Sequence, residues 1–291
     1  MKPRISIQVE DFNMLNEAIN SNCNTIRFGS EFCMWKIPSF NVLRKAYNLT
    51  MNVQKSFKYI SPRLSDNALK KVKEHITFLN SMGECEIVIN DIGLLNILKQ
   101  YDNIKPCLGR QLIFILARCP WPELPGWDAG YFEKRRVKSL FYQTSLNFKP
   151  SINIYKNYGI YGVDLDFIPE CFSHYNFLNE HGLKLSIHLF LAPVAVTRRC
   201  HTARFLNEKS PQNCSKPCNT RAFLVKGDII GVELLIGGNV VFKRSHPSKK
   251  HIDKLKKFKE IIISMSPVTE VKNKMKINQV IENLGLLSQK I

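Results

Sequence analysis

Apolar and polar positions along the chain fall into short blocks that switch between strand-like runs and helical spacing. Ile5 to Val9 is a strand-like run. Asp11 follows as the cap of a helix whose apolar positions Met14, Leu15, Ala18 and Ile19 keep a 3.6-residue period. Thr25 to Phe28, closed by Gly29, predicts a second strand, and Phe40 to Tyr47 a second helix. Leu49 to Val53 predicts a third strand. Ser65 and Asp66 open a helix through Leu69, Val72, Ile76 and Leu79. Glu86 to Ile89 is a fourth strand ending in Asn90-Asp91-Ile92-Gly93, with a helix beginning at Leu94. Strands alternating with helices in this way predict parallel strands joined by helical crossovers.

The middle is less regular. Ile104 to Leu108 predicts a fifth strand, but the three prolines between Cys119 and Trp127 exclude a helix interior or a central strand, so Arg118 to Tyr131 is expected to be an extended loop or lid. Beyond it come a helix over Ser151 to Tyr158, a strand from Gly162 to Asp166, a helix from His174 to Glu180 and a buried strand from Leu183 to Leu189. Ala222 to Val225 and Val232 to Val241, broken at Gly237-Gly238, predict further strands. Lys249 to Ile262 predicts a helix with Ile252, Leu255, Phe258 and Ile262 on one stripe. A last strand over Ile263 to Pro267 and a terminal helix from Lys276 to Leu287 complete the set. The sum is an α/β protein, a (β/α)8 TIM-barrel-like single domain over residues 1–291, open to distortion in its middle and carrying a late cysteine-bearing loop.

Composition sharpens this picture in two ways. With 44% apolar residues the chain of 291 residues can bury a large core. No run approaches the ~18 apolar residues of a membrane helix, and the start lacks a signal-like apolar run, so a cytoplasmic protein is expected. Nine cysteines in a reducing compartment are better read as thiols and ligands than as a disulfide frame. The formal charge of +18 suits nucleic acid, an anionic small molecule or an acidic partner, with RNA as one candidate. The basic helix over Lys249 to Lys259 is either part of such a face or simply solvated.

Three cysteines, Cys200, Cys214 and Cys218, fall in one polar loop with Arg198, Arg199, Arg204, Lys209 and Lys216 around them. Three thiolates hold a metal poorly without a fourth ligand. In a barrel the loops after the strands share one face, and Cys33 follows the second strand there as the natural fourth. Structural zinc favours cysteine pairs two residues apart. Iron-sulfur clusters accept scattered thiolates, so an iron-sulfur cluster, zinc and ordinary buried thiols are the readings open for these cysteines. Cys23, Cys85, Cys107 and Cys171 sit in apolar runs and belong to the core. His201 is either a hydrogen-bond partner of the ligand set or an exposed loop residue. Asn90 and Asp91 end a strand where a barrel places functional groups, or Asp91 caps the next helix. Asp164 and Asp166 alternate with apolar neighbours and so point into the barrel together, either for acid-base work or to pair with Arg110 or Arg118. Arg110, just past a strand, could clamp a substrate carboxylate in a bidentate fork. No nucleophile-base pair and no His-Glu-x-x-His is placed by spacing, which argues against a peptidase.

Phe28-Gly29 followed by Cys33, the Asn90 to Gly93 turn, and above all Arg199-Cys200-His-Thr-Ala-Arg204 ahead of Cys214-x-x-x-Cys218 resemble the collagenase-like peptidase family, peptidase U thirty-two, and within it the UbiV-like ubiquinone-biosynthesis branch. The resemblance is thin along most of the chain and specific at the four cysteines. It implies that Cys33, Cys200, Cys214 and Cys218 hold a 4Fe-4S cluster, and that the chain acts with a UbiU-like partner as a heterodimer in oxygen-independent hydroxylation during ubiquinone biosynthesis. It also implies a prephenate-like oxygen donor. RNA-base hydroxylation and a collagenase-like peptidase activity are the family's other readings. The Cys119 to Trp127 insertion and the strong positive charge depart from the UbiV-like pattern.

Overall fold

The computed structural model describes residues 2–120, 139–208, 210–226 and 233–285. Eight parallel strands close into a barrel, in the order β1 (Arg4–Val9), β2 (Thr25–Gly29), β3 (Ser56–Ser61), β4 (Cys85–Ile89), β5 (Ile104–Leu108), β6 (Gly162–Asp166), β7 (Lys184–His188) and β12 (Glu260–Ser264), which returns to β1. Helices α1 (Phe12–Ile19), α2 (Phe40–Asn52), α3 (Asp66–Ser81), α4 (Gly93–Leu98), α5 (Lys149–Asn157) and α6 (Phe172–Glu180) join the first seven staves. Local chemistry sets several starts: Asp11 accepts from the Met14 N–H at 2.9 Å, and Ser39 from the Val42 N–H at 3.4 Å.

The eighth stave is reached by a detour. After β7 and a single residue, Leu189, Phe190 takes a positive φ of 76° and turns the chain away from the barrel. β8 (Phe190–Val196), β9 (Phe223–Lys226), β10 (Glu233–Gly237) and β11 (Val240–Ser245) make a separate antiparallel sheet in the order β8-β11-β10-β9. A one-turn helix α7 (His201–Phe205) lies in the connection from β8 to β9, and α8 (Ile252–Leu255) precedes β12. Helix α9 (Lys274–Asn283) closes the described chain. The sheet has its own apolar cluster of Leu191, Leu235, Val240, Phe242 and Val268.

The main core lies between the barrel wall and the helices, where Ile7, Ile26, Tyr59, Ile87, Leu165 and Ile187 meet Leu15, Leu43, Val72, Ile76 and Leu178. The inside of the barrel is different. Barrel interiors are usually filled by branched apolar side chains, but here only Ile60, Val88 and Cys107 form a small apolar cluster of their own. Ile262, in register with Ser6 and His188, also points inward, but many inward positions are charged or polar: Ser6, Gln8, Arg27, Lys58, Asp164, Asp166, Ser186, His188 and Glu260, each at most 8% exposed.

Three sequence expectations are corrected. Leu49 to Val53 is the last turn of α2 with its cap, not a strand: Leu43, Ala46 and Thr50 continue one buried helical stripe, and Thr50 Oγ1 donates to Ala46 O at 2.8 Å. The third strand is Ser56–Ser61, whose alternation puts Lys58 inside and Phe57 and Tyr59 outside. The helix expected over Lys249 to Ile262 is only a 3-10 turn and α8, because Ile261, Ile262 and Ile263 are fully buried in the last parallel strand. That strand therefore starts at Glu260 rather than Ile263. The proline-bearing loop is described only to Pro120, with Leu116–Arg118 a 3-10 turn; its remainder, like the end of the terminal helix expected to reach Leu287 and the side chain of Lys209, lies outside the described residues.

Candidate functional site

Gly29 decides where the first candidate ligand goes. Its φ is +129°, and a Cβ there would stand 2.2 Å from Ile60 O, so no other residue can end β2 with this turn. The turn sends Ser30 to Cys33 across the carboxyl mouth of the barrel. Ser30 Oγ accepts from the Cys33 N–H at 3.2 Å. Cys33 caps a 3-10 turn, Met34–Lys36, and the Trp35 N–H lies against its sulfur.

Cys200 reaches the same end from the β8–β9 connection as the cap of α7, its sulfur accepting from the Ala203 N–H at 3.4 Å. Cys214 accepts from the Lys216 N–H at 3.4 Å. Lys216, in the left-handed region at φ 58°, then opens a 3-10 turn bearing Cys218. The side chain of Lys36 donates to the Cys218 sulfur. All four cysteines are half-buried and none is in a disulfide. Burial pushes the Cys33 thiol up to about 11, and the neighbouring Cys218 adds to the shift. Burial also raises Cys218, with Cys200 contributing. Cys33 and Cys218 both line the cavity at the barrel mouth, and Cys33 and Cys200 both line the one outside it. Cys214 stands further along the loop, and among the described residues no three His, Cys, Asp or Glu side chains are drawn to metal-ligand distance. The donor chemistry fits a thiophilic metal or a cluster: soft sulfurs, amide and ammonium donors around them, and thiols that must release protons on binding.

Two cavities meet at Cys33. The inner one, about 80 Å³, lies between the barrel mouth and the small sheet, bounded by Gln8, Glu10, Lys36, Cys218, Phe242 and Met265 among others. Lys36 Nζ is 2.5 Å from Glu10 Oε2. Burial works against the Lys36 charge, yet Glu10 and Cys218 outweigh it and raise its pKa. The outer cavity, about 380 Å³, is lined by Phe32, Trp35, Leu64 and Val196, with Cys33 and Cys200 in its wall and Arg63 and Arg198 at its exposed edge.

The remaining candidates are tied into the frame beneath this mouth. Arg110, 3% exposed, donates Nε and Nη2 to the two carboxylate oxygens of Glu31 at 2.8 and 2.6 Å, and Nη1 to Asp166 at 3.0 Å. The fork offered by the sequence to a substrate carboxylate thus grips Glu31 in this structure. Asp166 also accepts from Arg118 Nε at 2.5 Å. Asp164 pairs with Arg27 and lies 3.2 Å from His188 Nε2. Burial opposes ionisation of both aspartates, but Arg27 and His188 hold Asp164 well below the usual carboxylate range, and Arg118 and Arg110 do the same for Asp166. Burial and the nearby Arg110 push His188 down, and its Nδ1 has no hydrogen-bond partner among the described residues. Asn90, fully buried, donates to Ser61 O at 2.9 Å and accepts from the Gln111 N–H at 3.1 Å. Asp91 accepts from the Leu64 and Gly93 N–H groups at 2.9 and 2.8 Å. Both therefore fasten loops, and His201 Nε2 lies 3.3 Å from Thr197 Oγ1.

Sequence reasoning missed Glu31, Arg27, Lys58, Glu260 and the Glu10–Lys36 pair. The signal was present: charged residues at alternate positions inside otherwise apolar strands, as in Thr25-Ile-Arg27-Phe and Ser56-Phe-Lys58-Tyr, face one side of a sheet together.

No protein-family model matches the chain, and no curated protein is similar to it in sequence. Among solved structures it is similar to the U32 peptidase Mk0906, at 11% identity and TM-score 0.46, with 91% of this chain and 93% of that one covered. It is similar also to the dihydropteroate synthase FolP from Thermus thermophilus, at 9% identity and TM-score 0.41, covering 98% and 94%. The Bacillus cereus spore cortex-lytic enzyme SleL gives 9% identity and TM-score 0.42, covering 97% and 75%. Likenesses this distant leave function to be argued from the residues themselves.

Proposed function

We propose that this chain is a cluster-bearing protein of the collagenase-like peptidase U thirty-two family, of the UbiV-like kind. In this reading Cys33, Cys200, Cys214 and Cys218 hold a 4Fe-4S cluster, and the chain works with a UbiU-like partner and a prephenate-like oxygen donor in oxygen-independent hydroxylation of a ubiquinone precursor. One observation supports the reading: Cys33, Cys200 and Cys218, from two distant stretches, line the two cavities at the barrel mouth, half-buried and each with a hydrogen-bond donor at its sulfur, the outer cavity being of aromatic size; Cys214, in the same loop, would complete the set.

A cluster held by four thiolates supplies one-electron transfer when bound. The chain's own residues do the rest. An engineered cavity of ~150 Å³ takes up benzene, so the inner cavity of about 80 Å³ is too small for a ring and the outer one of about 380 Å³ is large enough. Phe32, Trp35, Leu64 and Val196 offer a ring apolar contact, and Arg63 and Arg198 at the exposed edge offer cations to a carboxylate on that ring. Lys36, held by Glu10, keeps its charge against the Cys218 sulfur.

The test is anaerobic purification followed by iron, sulfide and zinc analysis with a visible spectrum, on wild type and Cys33→Ala. About four irons and four sulfides per chain, as four thiolate ligands require, with loss in the variant, are expected. Stoichiometric zinc without sulfide would make the cysteine loop a structural clip and remove the redox reading. Peptide hydrolysis that survives loss of Cys200 would return the peptidase reading in its place.

A further inference from the structure

The opposite end of the barrel, where the strands begin, also opens into a cleft of about 380 Å³. Its floor is the first inward layer of the barrel. Lys58 Nζ lies 2.5 Å from a carboxylate oxygen of Glu86 and of Glu260 alike. Glu260 further accepts from Ser6 and from Ser186, the latter at 2.9 Å, and lies 3.4 Å from Arg27. The floor carboxylates are thus matched from within the barrel. The stave beside them contributes no side chain to this layer, because β6 opens with Gly162, between Cys107 and Lys184. Where a barrel usually has a plug of branched apolar residues, this one has a polar floor and a gap.

The rim of the gap is basic. Arg4 opens β1, Lys184 opens β7, and Lys256, Lys257 and Lys259 lead into β12, all of them exposed. With Lys2 and the floor, the lining holds seven basic side chains against two carboxylates. Lys256 has a surface partner in Asp253 at 2.6 Å, a pair of the kind worth little in water. Lys184 rests on the ring of Tyr161, 4.9 Å from its centroid, which aims its ammonium over the cleft.

We propose that this cleft is a second binding site, for a compact anion carrying phosphate groups in tandem, of the di- or triphosphate kind. A monocarboxylate would offset one charge of the excess, whereas tandem phosphates bring several within the span of the rim. Lysine ammoniums, as mobile point charges, suit phosphate oxygens. The cations surround a concavity instead of lining a stripe, which favours a compact ligand over a nucleic-acid backbone, whose phosphates need cations spaced along a groove. The site sits at the far end of the barrel from Cys33, so it stands or falls independently of the cluster reading.

The test is isothermal calorimetry on the anaerobically purified full chain with tripolyphosphate, with inorganic phosphate and with a single-stranded RNA oligonucleotide, at low and moderate salt. Wild type is expected to bind tripolyphosphate saturably at one site, at least tenfold more tightly than phosphate. Lys257→Glu/Lys259→Glu should weaken this binding at least tenfold, and Lys249→Glu/Lys250→Glu, equally exposed but outside the cleft, should leave it unchanged. Equal weakening in both variants would reduce the effect to net charge and overturn the proposal. So would RNA binding that tripolyphosphate does not displace and the cleft variant does not lose, or no saturable binding at low salt.

Discussion

Arg110 and its carboxylates give the most exacting check on the structure beneath the cysteine mouth. Four buried charges stand there in balance: Arg110 and Arg118 against Glu31 and Asp166. Arg110→Met removes one cation and leaves Glu31, 1% exposed, with Gln8 Nε2 at 3.2 Å as its side-chain donor among the described residues. Breaking a buried pair by removing one partner costs about 3–5 kcal/mol. With a urea dependence near ~3 kcal/mol per molar, that lowers the unfolding midpoint by about 1–1.7 M. Adding Glu31→Gln restores the balance, since Asp166 keeps Arg118. The double variant should therefore recover part of the loss, with a coupling of about 1–3 kcal/mol. Urea titrations followed by circular dichroism on the four proteins of this cycle measure it. If the two single losses simply add, Arg110 and Glu31 are not a unit, and the view that Arg110 holds the mouth together is wrong.

Acid should unfold the protein through the same lumen. Burial opposes ionisation of Glu260, but Arg27 and Lys58 hold its pKa at about 2, below the ordinary 4.5. A depressed carboxylate contributes stability that is complete above its unfolded pKa and is lost as pH falls toward its folded one. Midpoints measured from pH 6 to 2 should thus fall between about 4.5 and 2, and Glu260→Gln should show a shallower fall over that window; an unchanged slope would remove Glu260 from the account. Gly29→Ala should cost at least ~2 kcal/mol, because the added Cβ meets the Ile60 carbonyl in a left-handed backbone that Ala resists. Thermal unfolding reads this directly, and a variant as stable as wild type would show that the turn to Cys33 is not fixed by this residue.

Much of the barrel was legible along the chain. The strands at Ile5, Thr25, Glu86, Ile104, Gly162 and Leu183 and their helices announce themselves by apolar runs and caps, because each element buries one side against its neighbours. The errors fell where a local pattern admits two periods. Leu49 to Val53 is apolar enough for a strand, but continues the stripe begun at Leu43. Ile261 to Ile263 fits a helical stripe as well as a buried strand, and only closure against β1 and β7 selects the strand. The turn at Phe190 was hidden inside one apolar run, so the four-stranded sheet was seen as scattered strands and not as a unit.

The candidate site divides in the same way. That Cys33 lies at the carboxyl end of the barrel follows from the sequence, since every loop after a parallel strand in a barrel emerges on one face; the late cysteines follow β8 of the antiparallel sheet, whose placement that rule does not reach. What fills the lumen does not follow either, because a charge is tolerated in a core only when its partner is placed beside it. Arg27 and Asp164 are 137 residues apart, and Glu31 and Arg110 79 apart. The sequence by itself therefore determined the alternation and the barrel. Only the tertiary structure decided that Arg110 closes its fork on Glu31, that Asp164 and Asp166 are locked in ion pairs, and that basic strand starts ring an open cleft. Periodicity is a local property of the chain, while charge pairing and cavity shape depend on which distant staves stand side by side.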